Sequence, residues 1–476
     1  RNCSENLVMT RHGSLVRALR SVPELWRVAS TLRRHGVLRS IRHGTAPPSP
    51  QAVRSAIEEL GPVFMKLGQV LALRRDLLPD VYVAELERLQ DRTLPVGMDA
   101  VRSMVIGDLG AAPEQLFAVF EAEPLAAATI AQVHRARTHD GDDVVVKVQR
   151  PSLDEQVDRD IDVIRALVAL VGTIVPTVDR FDPVGLVTEL EKNLRLELDF
   201  RVEARHIRSF REILSGDSGL WVPDVIDALS GRTVLTIQHS PGIRVDRYAA
   251  EHPAERARIS HVVTALLVRQ VFGEGLFHAD PHPGNLFVLP DGRMCIHDFG
   301  MVGRLRDDTR RALEHLLLAT VRKDIRGAAD AYLQMGLSDE RLSRIDLEEE
   351  LSALIDDLHA RVSSDVSVGQ ALESLVRLGA RHGLKNPGEL LLLTRAFLIT
   401  EGVLKAIDPD VDRLALFRED MDDVRAERFT PEELARRAWK MGEGIEAFAR
   451  EGPGDARRVR VRVVGDISFS RTSKAA

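Results

Sequence analysis

Two short segments hold the residues most able to do chemistry. The first is His278-Ala-Asp280-Pro-His-Pro-Gly-Asn285 and the second is Ile296-His-Asp298-Phe-Gly300. A phosphoryl-transfer site needs a carboxylate near the nucleophile, and oxygen ligands that hold Mg²⁺ against the phosphates. We therefore interpret Asp280 as the catalytic carboxylate, and Asn285 and Asp298 as the metal ligands.

The spacing of these residues is that of the catalytic and metal-binding loops of protein kinases, with a hairpin signal around an Asp-Gly turn between them. A rival reading takes His278, Asp280, His282 and His297 as a transition-metal cluster of a hydrolase. That reading leaves Asn285 and all upstream features unexplained. Phosphoryl transfer is the favoured interpretation.

Upstream residues supply the expected nucleotide contacts. Lys147 ends an apolar strand, as the phosphate-pairing lysine of a kinase does, and Glu203 on a later helix is its best partner, with Glu197 as runner-up. Where an ordinary kinase has a glycine-rich phosphate loop, this chain has an alanine-rich one. Alanine lacks glycine's freedom at positive φ, so we expect a stiffer loop. The loop residues expected at the nucleotide are Ala126, Ala127, Ala128 and Thr129.

The elements that must position these residues follow from periodicity. Helical spacing covers 51–115, period two dominates 116–150, helical spacing returns over 153–214, and a further strand signal lies at 233–237. The pattern predicts an α+β, bilobal, protein-kinase-like fold with an N-terminal helical extension and a mostly helical C-lobe. The expected divisions are a basic helix (1–45), a helical extension (46–115), an N-lobe with a helical insert (116–240), a C-lobe (241–430) and a tail (431–476).

Composition excludes some classes of protein. A net charge of −7 and 4% aromatic residues argue against nucleic-acid binding. Two cysteines in 476 residues indicate a reducing compartment rather than a disulfide framework. We find no secretory signal, and no apolar run long enough to span a bilayer. A cytoplasmic protein is expected.

The first 45 residues carry nine arginines and two acidic residues. From Leu15 to Ile41 apolar residues recur at helical spacing between the arginines. Such a basic amphipathic helix suits an anionic membrane surface, here the inner face of the cell membrane, or else packs on the rest of the protein. The sequence leaves both alternatives open.

Several separated motifs resemble the UbiB-like (aarF-domain) atypical kinases. Phe64-Met-Lys66-Leu-Gly68-Gln69 resembles the family's Lys-x-Gly-Gln signature, and Glu197-Leu-Asp199 its Glu-x-Asp signature. The alanine-rich loop, the Lys147 strand, the two catalytic segments and a late segment at 395–409 match as well. The resemblance spans roughly residues 50–430.

The resemblance implies that the extension folds over the active site. Lys66, as a catalytic residue, and Gln69 would point into the nucleotide site, while Glu197 and Asp199 would anchor the extension. The hinge would include Gln238, where an acidic residue is common, and His206 replaces the usual asparagine.

The function implied by the resemblance is an ATPase or small-molecule kinase that uses ATP with Mg²⁺ (or Mn²⁺) and supports isoprenoid quinone or membrane-lipid metabolism. Its partners would be ATP, a lipid-like or quinone-related substrate and an anionic membrane surface, without nucleic acid; a homodimer is left open. The alternative is a nucleotide-binding pseudokinase scaffold for a biosynthetic complex. A conventional protein kinase is disfavoured by the alanine-rich loop and the Lys66 motif.

Overall fold

The structure is a computed structural model that describes residues 22–38, 47–73, 78–89, 93–174, 182–215, 219–336, 343–360, 366–382, 384, 386–428, 461–462 and 468–469. The chain forms two units, Arg1–Met421 and Asp422–Ala476. The site lies in the first. Residues 1–21 and 39–45 of the basic segment lie outside the described residues.

The described elements are mostly helices, with short strands between them. The helices are α1 (Val22–Arg34), α2 (Pro50–Leu60), α3 (Pro62–Leu73), α4 (Asp80–Leu86), α5 (Met98–Leu109), α6 (Pro113–Leu116), α7 (Leu153–Ile174), α8 (Pro183–Glu197), α9 (Phe200–Leu214), α10 (Val245–Glu251), α11 (Arg256–Val268), α12 (Asp307–Arg322), α13 (Ile325–Met335), α14 (Arg344–Ala360), α15 (Val368–Arg381), α16 (Gly388–Ile407) and α17 (Arg413–Arg428). The strands are β1 (Val119–Phe120), β2 (Ala126–Ala127), β3 (Ala131–Arg137), β4 (Asp143–Gln149), β5 (Leu220–Trp221), β6 (Val234–Gln238), β7 (Ile243–Arg244), β8 (Leu276–His278), β9 (Leu286–Val288), β10 (Met294–Ile296), β11 (Val302–Arg304), β12 (Val461–Arg462) and β13 (Ser468–Phe469).

The N-lobe is built on a five-stranded antiparallel sheet in the order β1-β3-β4-β6, with β2 paired to β3. Val144, Val146 and Val148 alternate along β4 and are fully buried against α5. Because successive side chains of a strand point to opposite faces, this burial fixes which β4 residues face the cleft.

The extension is a helical layer that packs on α7 and α8. Leu60 and Val63 of this layer share a core with Ile161 and Leu190. Helix α1 belongs to the layer: Val28 is buried in the same core, and Arg27 Nη2 donates to Asp160 on α7 at 2.7 Å. The described part of the basic segment is therefore a packed helix, one of the two alternatives that the sequence left open.

The C-lobe carries the catalytic segments on short strands backed by helices. The four-stranded sheet runs β5-β10-β9-β7, and β8 pairs separately with β11. The β9–β10 hairpin turns at Gly292, whose φ of +85° favours glycine. Helices α9, α11 and α16 cover these strands in one core. None of the described helices is both long and apolar enough to cross a membrane.

Candidate active site

Lys147 faces the cleft because of strand alternation. It lies on β4 opposite Leu235 of β6 and Val133 of β3, with valines on either side buried on the other face of the sheet. Its side chain is 24% exposed, and its Nζ atom lies 5.4 Å from the centre of the Phe200 ring. Strand β4 thus places the ammonium group of Lys147 in the cleft.

Glu203 is the partner of Lys147. Helix α9 buries Phe200, Glu203, Ala204 and Ile207 at helical spacing, so the carboxylate lies on the inward face. Lys147 Nζ donates to Glu203 Oε2 at 2.8 Å and to Oε1 at 3.1 Å. Burial alone would lower the pKa of Lys147, but the carboxylates of Asp298 and Glu203 outweigh it and raise the pKa, so the ammonium stays charged.

Asp298 is the second carboxylate at Lys147. Its backbone is left-handed, with φ of +53°, a conformation that aspartate tolerates better than most residues. Its Oδ1 lies 3.4 Å from Lys147 Nζ and accepts a hydrogen bond from Gly300 N at 3.3 Å. The Lys147 ammonium holds the pKa of the Asp298 carboxyl well below its usual range. Asp298 therefore presents an anionic carboxylate oxygen at any physiological pH.

The Asp280 loop is tied to the Asp298 loop by a buried histidine. His278 Nε2 donates to the carbonyl oxygen of Asp298 at 2.8 Å, while Asp280 N donates to His278 Nδ1 at 3.1 Å. Burial lowers the pKa of His278, which keeps the imidazole in the neutral form that can donate at one nitrogen and accept at the other. His278 thus acts as a structural link between the two loops.

Asn285 is oriented by the same loop. Its Nδ2 donates to the carbonyl oxygen of Asp280 at 3.1 Å, and the residue is 6% exposed. This bond leaves the Oδ1 atom as the group that a cation could use. The amide oxygen of Asn285 and the carboxylate of Asp298 both line one cavity, and they form the hard oxygen donor set that Mg²⁺ and Mn²⁺ prefer.

The hydrolase reading finds no support in this geometry. Among the described residues no group of three or more His, Cys, Asp or Glu side chains is arranged to hold a metal ion. His278 is engaged with backbone atoms, and His297 Nε2 hydrogen bonds to Ser240 Oγ at 2.5 Å. His282 Nδ1 accepts from Gly284 N at 2.9 Å. These histidines organise loops and do not converge.

Arg395 contacts Asp280, the predicted catalytic carboxylate, and the sequence reasoning missed this contact. Its Nη2 lies 3.0 Å from Asp280 Oδ1, and its Nη1 contacts Met301 Sδ at 3.4 Å. The residue stands on α16, far along the chain from Asp280. Its only signal was its place in the late matching segment, to which no role was assigned.

The Lys-x-Gly-Gln segment on α3 closes the cleft. Lys66 Nζ pairs with Glu197 Oε1 at 2.6 Å, with side chains 13% and 31% exposed. Lys66 and Gln69 both line the cavity that contains Lys147, Asp280 and Asp298. Gly68 faces the other way, and a Cβ there would lie 2.5 Å from Leu89 Cδ1. A larger residue at this position would require the Leu89 side chain to move.

The alanine-rich loop contributes fewer residues than expected. Ala126 and Ala127 form β2 and do not line the cavity, because they pair with Val133 and Gln132 of β3. Ala128 and Thr129 do line it.

The backbone at Ala128 is held from two sides. Its N–H donates to the carbonyl oxygen of Ala131 at 2.8 Å. Its own carbonyl oxygen accepts from Thr93 Oγ1 at 2.8 Å and from Arg150 Nη1 at 3.1 Å. The loop backbone is therefore restrained by these three hydrogen bonds as well as by the limited backbone freedom of alanine.

Three other expected residues fall in different places. Gln238 is exposed at the end of β6 and lines a separate hollow with Arg211 and Asp224. Its N–H donates to the Asp224 carbonyl oxygen at 2.8 Å, and its place at the nucleotide stays a prediction. Asp199 lines the cavity, caps α9 and pairs with Arg201 at 2.8 Å, and it makes no ion pair with a described residue of the extension. His206 Nδ1 donates to the Phe299 carbonyl oxygen at 2.9 Å, which ties α9 to the Asp298 loop.

The residues brought together enclose a cavity of about 350 Å³, called here the first cavity. Among the residues that the structure describes, its charged lining is three cations, Lys66, Lys147 and Arg395, and five carboxylates, Glu197, Asp199, Glu203, Asp280 and Asp298. The formal charge of this lining is −2. A polyphosphate would be repelled unless a divalent cation accompanied it.

Comparison with known proteins decides the family. The ABC1 atypical kinase-like domain matches residues 88–332, and the UbiB helical domain matches residues 351–412. The chain belongs to the UbiB family of atypical kinases. The kinase-like bilobal fold predicted from the sequence is confirmed.

Similar proteins cover most of this UbiB-family chain. It is 34% identical over 392 residues to "Probable protein kinase UbiB" of Xanthomonas campestris pv. campestris (strain B100), covering 80% of this chain and 70% of that protein. The protein of the same name from Xylella fastidiosa (strain 9a5c) is 32% identical over 409 residues, covering 84% and 74%. A solved structure, the Rv3197–erythromycin complex from Mycobacterium tuberculosis, aligns with a TM-score of 0.53 and 25% identity over 76% of this chain and 92% of that one.

Proposed function

We propose that this protein binds ATP with Mg²⁺ or Mn²⁺ in the first cavity and transfers the γ-phosphoryl group to a small molecule or to water. The observation that carries the proposal is Lys147, held 2.8 Å from Glu203 and 3.4 Å from Asp298. A lysine between a helix carboxylate and a metal-binding aspartate is the arrangement that active kinases use to place the nucleotide phosphates.

Each remaining residue has a proposed role. Asn285 and Asp298 would hold the metal ion, which would neutralise phosphate charge when bound. Lys147 and Lys66 would contact phosphate oxygens, and the restrained backbone at Ala128 and Thr129 would lie against them. Asp280, fixed at Oδ1 by Arg395, would accept the proton of the attacking hydroxyl as its oxygen bonds to the γ-phosphorus and the bond to ADP breaks.

The extension favours a small acceptor over a protein. Helix α3 lies against the cleft, and the 2.6 Å Lys66–Glu197 pair joins it to α8. A peptide substrate would have to displace this helix from the buried core it shares with α7 and α8. Although the named relatives are called probable protein kinases, we favour a small molecule or water. Isoprenoid quinone or membrane-lipid metabolism is proposed from the family resemblance.

The test is nucleotide turnover by the full chain. ADP release with Mg²⁺ and its loss in Asp280→Asn would support an ATPase or kinase. Unimpaired ATP binding without any ADP release, with quinone-precursor mimics and liposomes present, would favour the pseudokinase scaffold. No stabilisation by ATP and Mg²⁺ would refute the nucleotide site itself.

We also propose that the arginine-rich first 45 residues draw the protein to the inner face of the cell membrane. The charge of that segment supports this, as does Trp26 on α1, which is 70% exposed. Co-sedimentation with anionic liposomes should be strong at low salt, weaker at high salt, and absent with neutral liposomes. Binding that is equal to neutral and anionic liposomes would refute an electrostatic attraction.

A further inference from the structure

A second cavity of about 410 Å³ lies next to the first, between the extension and the C-lobe helices. Gln69 and Arg395 line both cavities. The volume falls in the range of small-molecule sites. None of the roles proposed above uses this space.

The walls of the second cavity are mostly apolar. Ala72, Leu86 and Leu89 of the extension form a small buried cluster on one side. Val376 of α15 and Leu391, Leu398 and Ile399 of α16 form the other side. Arg377 on α15 pairs with Asp80 on α4, which holds the two sides together. The cavity therefore exists because the extension packs on the C-lobe.

Among the described residues, the polar side chains that line the second cavity are Gln69, Glu87, Glu373, Thr394 and Arg395. Glu87 and Glu373 line the cavity and would repel a carboxylate or phosphate head group. Glu373 is paired with Arg377 at 2.6 Å. Arg395 stands where the two cavities meet and lies 3.0 Å from Asp280. A ligand that extends along Arg395 from the apolar cavity reaches the catalytic carboxylate.

We infer that the second cavity binds the apolar body of a single-chain amphiphile whose uncharged hydroxyl end lies at Arg395 and Asp280. The inference deepens the proposed function, since it names the chemical class of the acceptor. Apolar lining favours the chain, acidic lining disfavours anionic ends, and Asp280 accepts a hydrogen bond from the hydroxyl.

The test measures binding of 1-hexanol, 1-octanol and 1-decanol to the full chain by isothermal titration calorimetry, without nucleotide. Affinity should rise about fifteenfold for each added pair of methylenes, from the free energy of burying them. The methyl ether of 1-octanol cannot donate a hydrogen bond and should bind about tenfold more weakly than 1-octanol. Equal affinity for the alcohol and its ether would overturn the placement of the hydroxyl.

Cavity-filling variants locate the site. Leu391→Trp and Leu398→Trp should each abolish the dependence of affinity on chain length. Val321→Trp is the matched control, because Val321 is an apolar residue on α12 that is 57% exposed and does not line either cavity. Binding that survives in both cavity variants, or no binding up to the solubility limit in the wild type, would overturn the inference.

Failure of this inference can be told apart from failure of the proposed function. Thermal stabilisation by ATP and Mg²⁺ reports the first cavity alone. A chain that binds alcohols but shows no such stabilisation would refute the nucleotide site and leave the second cavity established. The converse result would refute the second cavity only.

Discussion

Asp298→Asn should change nucleotide binding in opposite directions with and without Mg²⁺. The substitution keeps the shape of the side chain but removes one of the five carboxylates that line the first cavity. With Mg²⁺ present the loss of a metal ligand dominates. With the metal removed by EDTA, the loss of negative charge dominates.

The metal-dependent effect can be sized from mass action. ATP and Mg²⁺ at about one hundred times Kd stabilise the native state by about 2.7 kcal/mol. For 476 residues, an unfolding entropy of about 2.1 cal/mol/K per residue makes this a rise of about 3 °C in Tm. A hundredfold loss of affinity would reduce the stabilisation to about 0.4 kcal/mol, and the Tm rise to less than about 1 °C.

The metal-free effect has the opposite sign. Asp298→Asn changes the formal charge of the cavity lining from −2 to −1. A unit charge about 6 Å from a phosphate contributes roughly 1 to 3 kcal/mol of repulsion, depending on the effective dielectric constant. Metal-free ATP should therefore bind the variant at least about fivefold more tightly than the wild type. Differential scanning fluorimetry and calorimetric titration give the two measurements.

Glu197→Gln is the charge-matched comparison. It removes one carboxylate from the same lining, but not a proposed metal ligand. It should strengthen metal-free binding while retaining most of the Mg²⁺-dependent rise in Tm. Weaker metal-free binding in Asp298→Asn would refute the charge argument. A full Mg²⁺-dependent rise in Tm in that variant would refute the assignment of Asp298 as a metal ligand.

Four further predictions follow from single contacts. Ala128→Gly should change the ratio of ATP to ADP affinity by about two- to fivefold, measured by competition titration, because about 0.5 to 1 kcal/mol of backbone restraint is lost. Lys66→Met should alter the ATP turnover rate or permit autophosphorylation, detected by intact-protein mass spectrometry, because it leaves Glu197 unpaired. Arg27→Met should lower the free energy of unfolding by roughly 3 kcal/mol in chemical denaturation, because it leaves the Asp160 carboxylate, whose side chain is 2% exposed, without its cation. Adding Asp160→Asn to that variant should restore part of the lost stability. Burial lowers the pKa of His297 to about 4, below its unfolded value near 6.5. The free energy of unfolding should therefore fall by up to about 3 kcal/mol as the pH falls from 6.5 toward 4. His297→Gln should flatten this dependence on pH.

Each of these has a contradicting result. Ala126 lies in β2 and does not line the cavity, so Ala126→Gly should leave the ratio of ATP to ADP affinity unchanged. An equal change in both variants would show that the effect does not come from the backbone at Ala128. Unaltered turnover without autophosphorylation in Lys66→Met would contradict the covering role of α3. Arg27→Met with wild-type stability would show that Asp160 is solvated, and parallel pH curves for His297→Gln and wild type would show that His297 does not titrate differently on folding.

Local periodicity predicted the strand that carries Lys147 and the helix that carries Glu203. The choice of Glu203 as the partner, with Glu197 as runner-up, came from the kinase pattern, and the structure pairs Lys147 with Glu203. Asp280, Asn285 and Asp298 lie on loops joined by one hairpin, so their spacing along the chain fixes their distances in space. These residues line one cavity in the structure.

Contacts between distant elements could not be read in the same way. The Arg395–Asp280 pair joins α16 to a loop over a hundred residues earlier in the chain. A local sequence pattern does not predict which residues of two such distant elements come into contact. The N–H of Gln238, a residue expected in the hinge from the order of strands, donates to the Asp224 carbonyl oxygen, a partner that the sequence did not indicate. Ala126 and Ala127 do not line the first cavity, because strand pairing starts within the loop.

Helix α3 supplies Lys66 to one cavity, Ala72 to the other and Gln69 to both. A shift of this helix therefore changes two binding affinities at once. Thermodynamic linkage makes such coupling reciprocal: the factor by which one occupant changes the affinity of the other is the same in both directions. For a coupling free energy of about 1.4 kcal/mol that factor is about ten. A saturating apolar ligand would then lower or raise the nucleotide concentration at half-occupancy about tenfold, without touching the nucleotide.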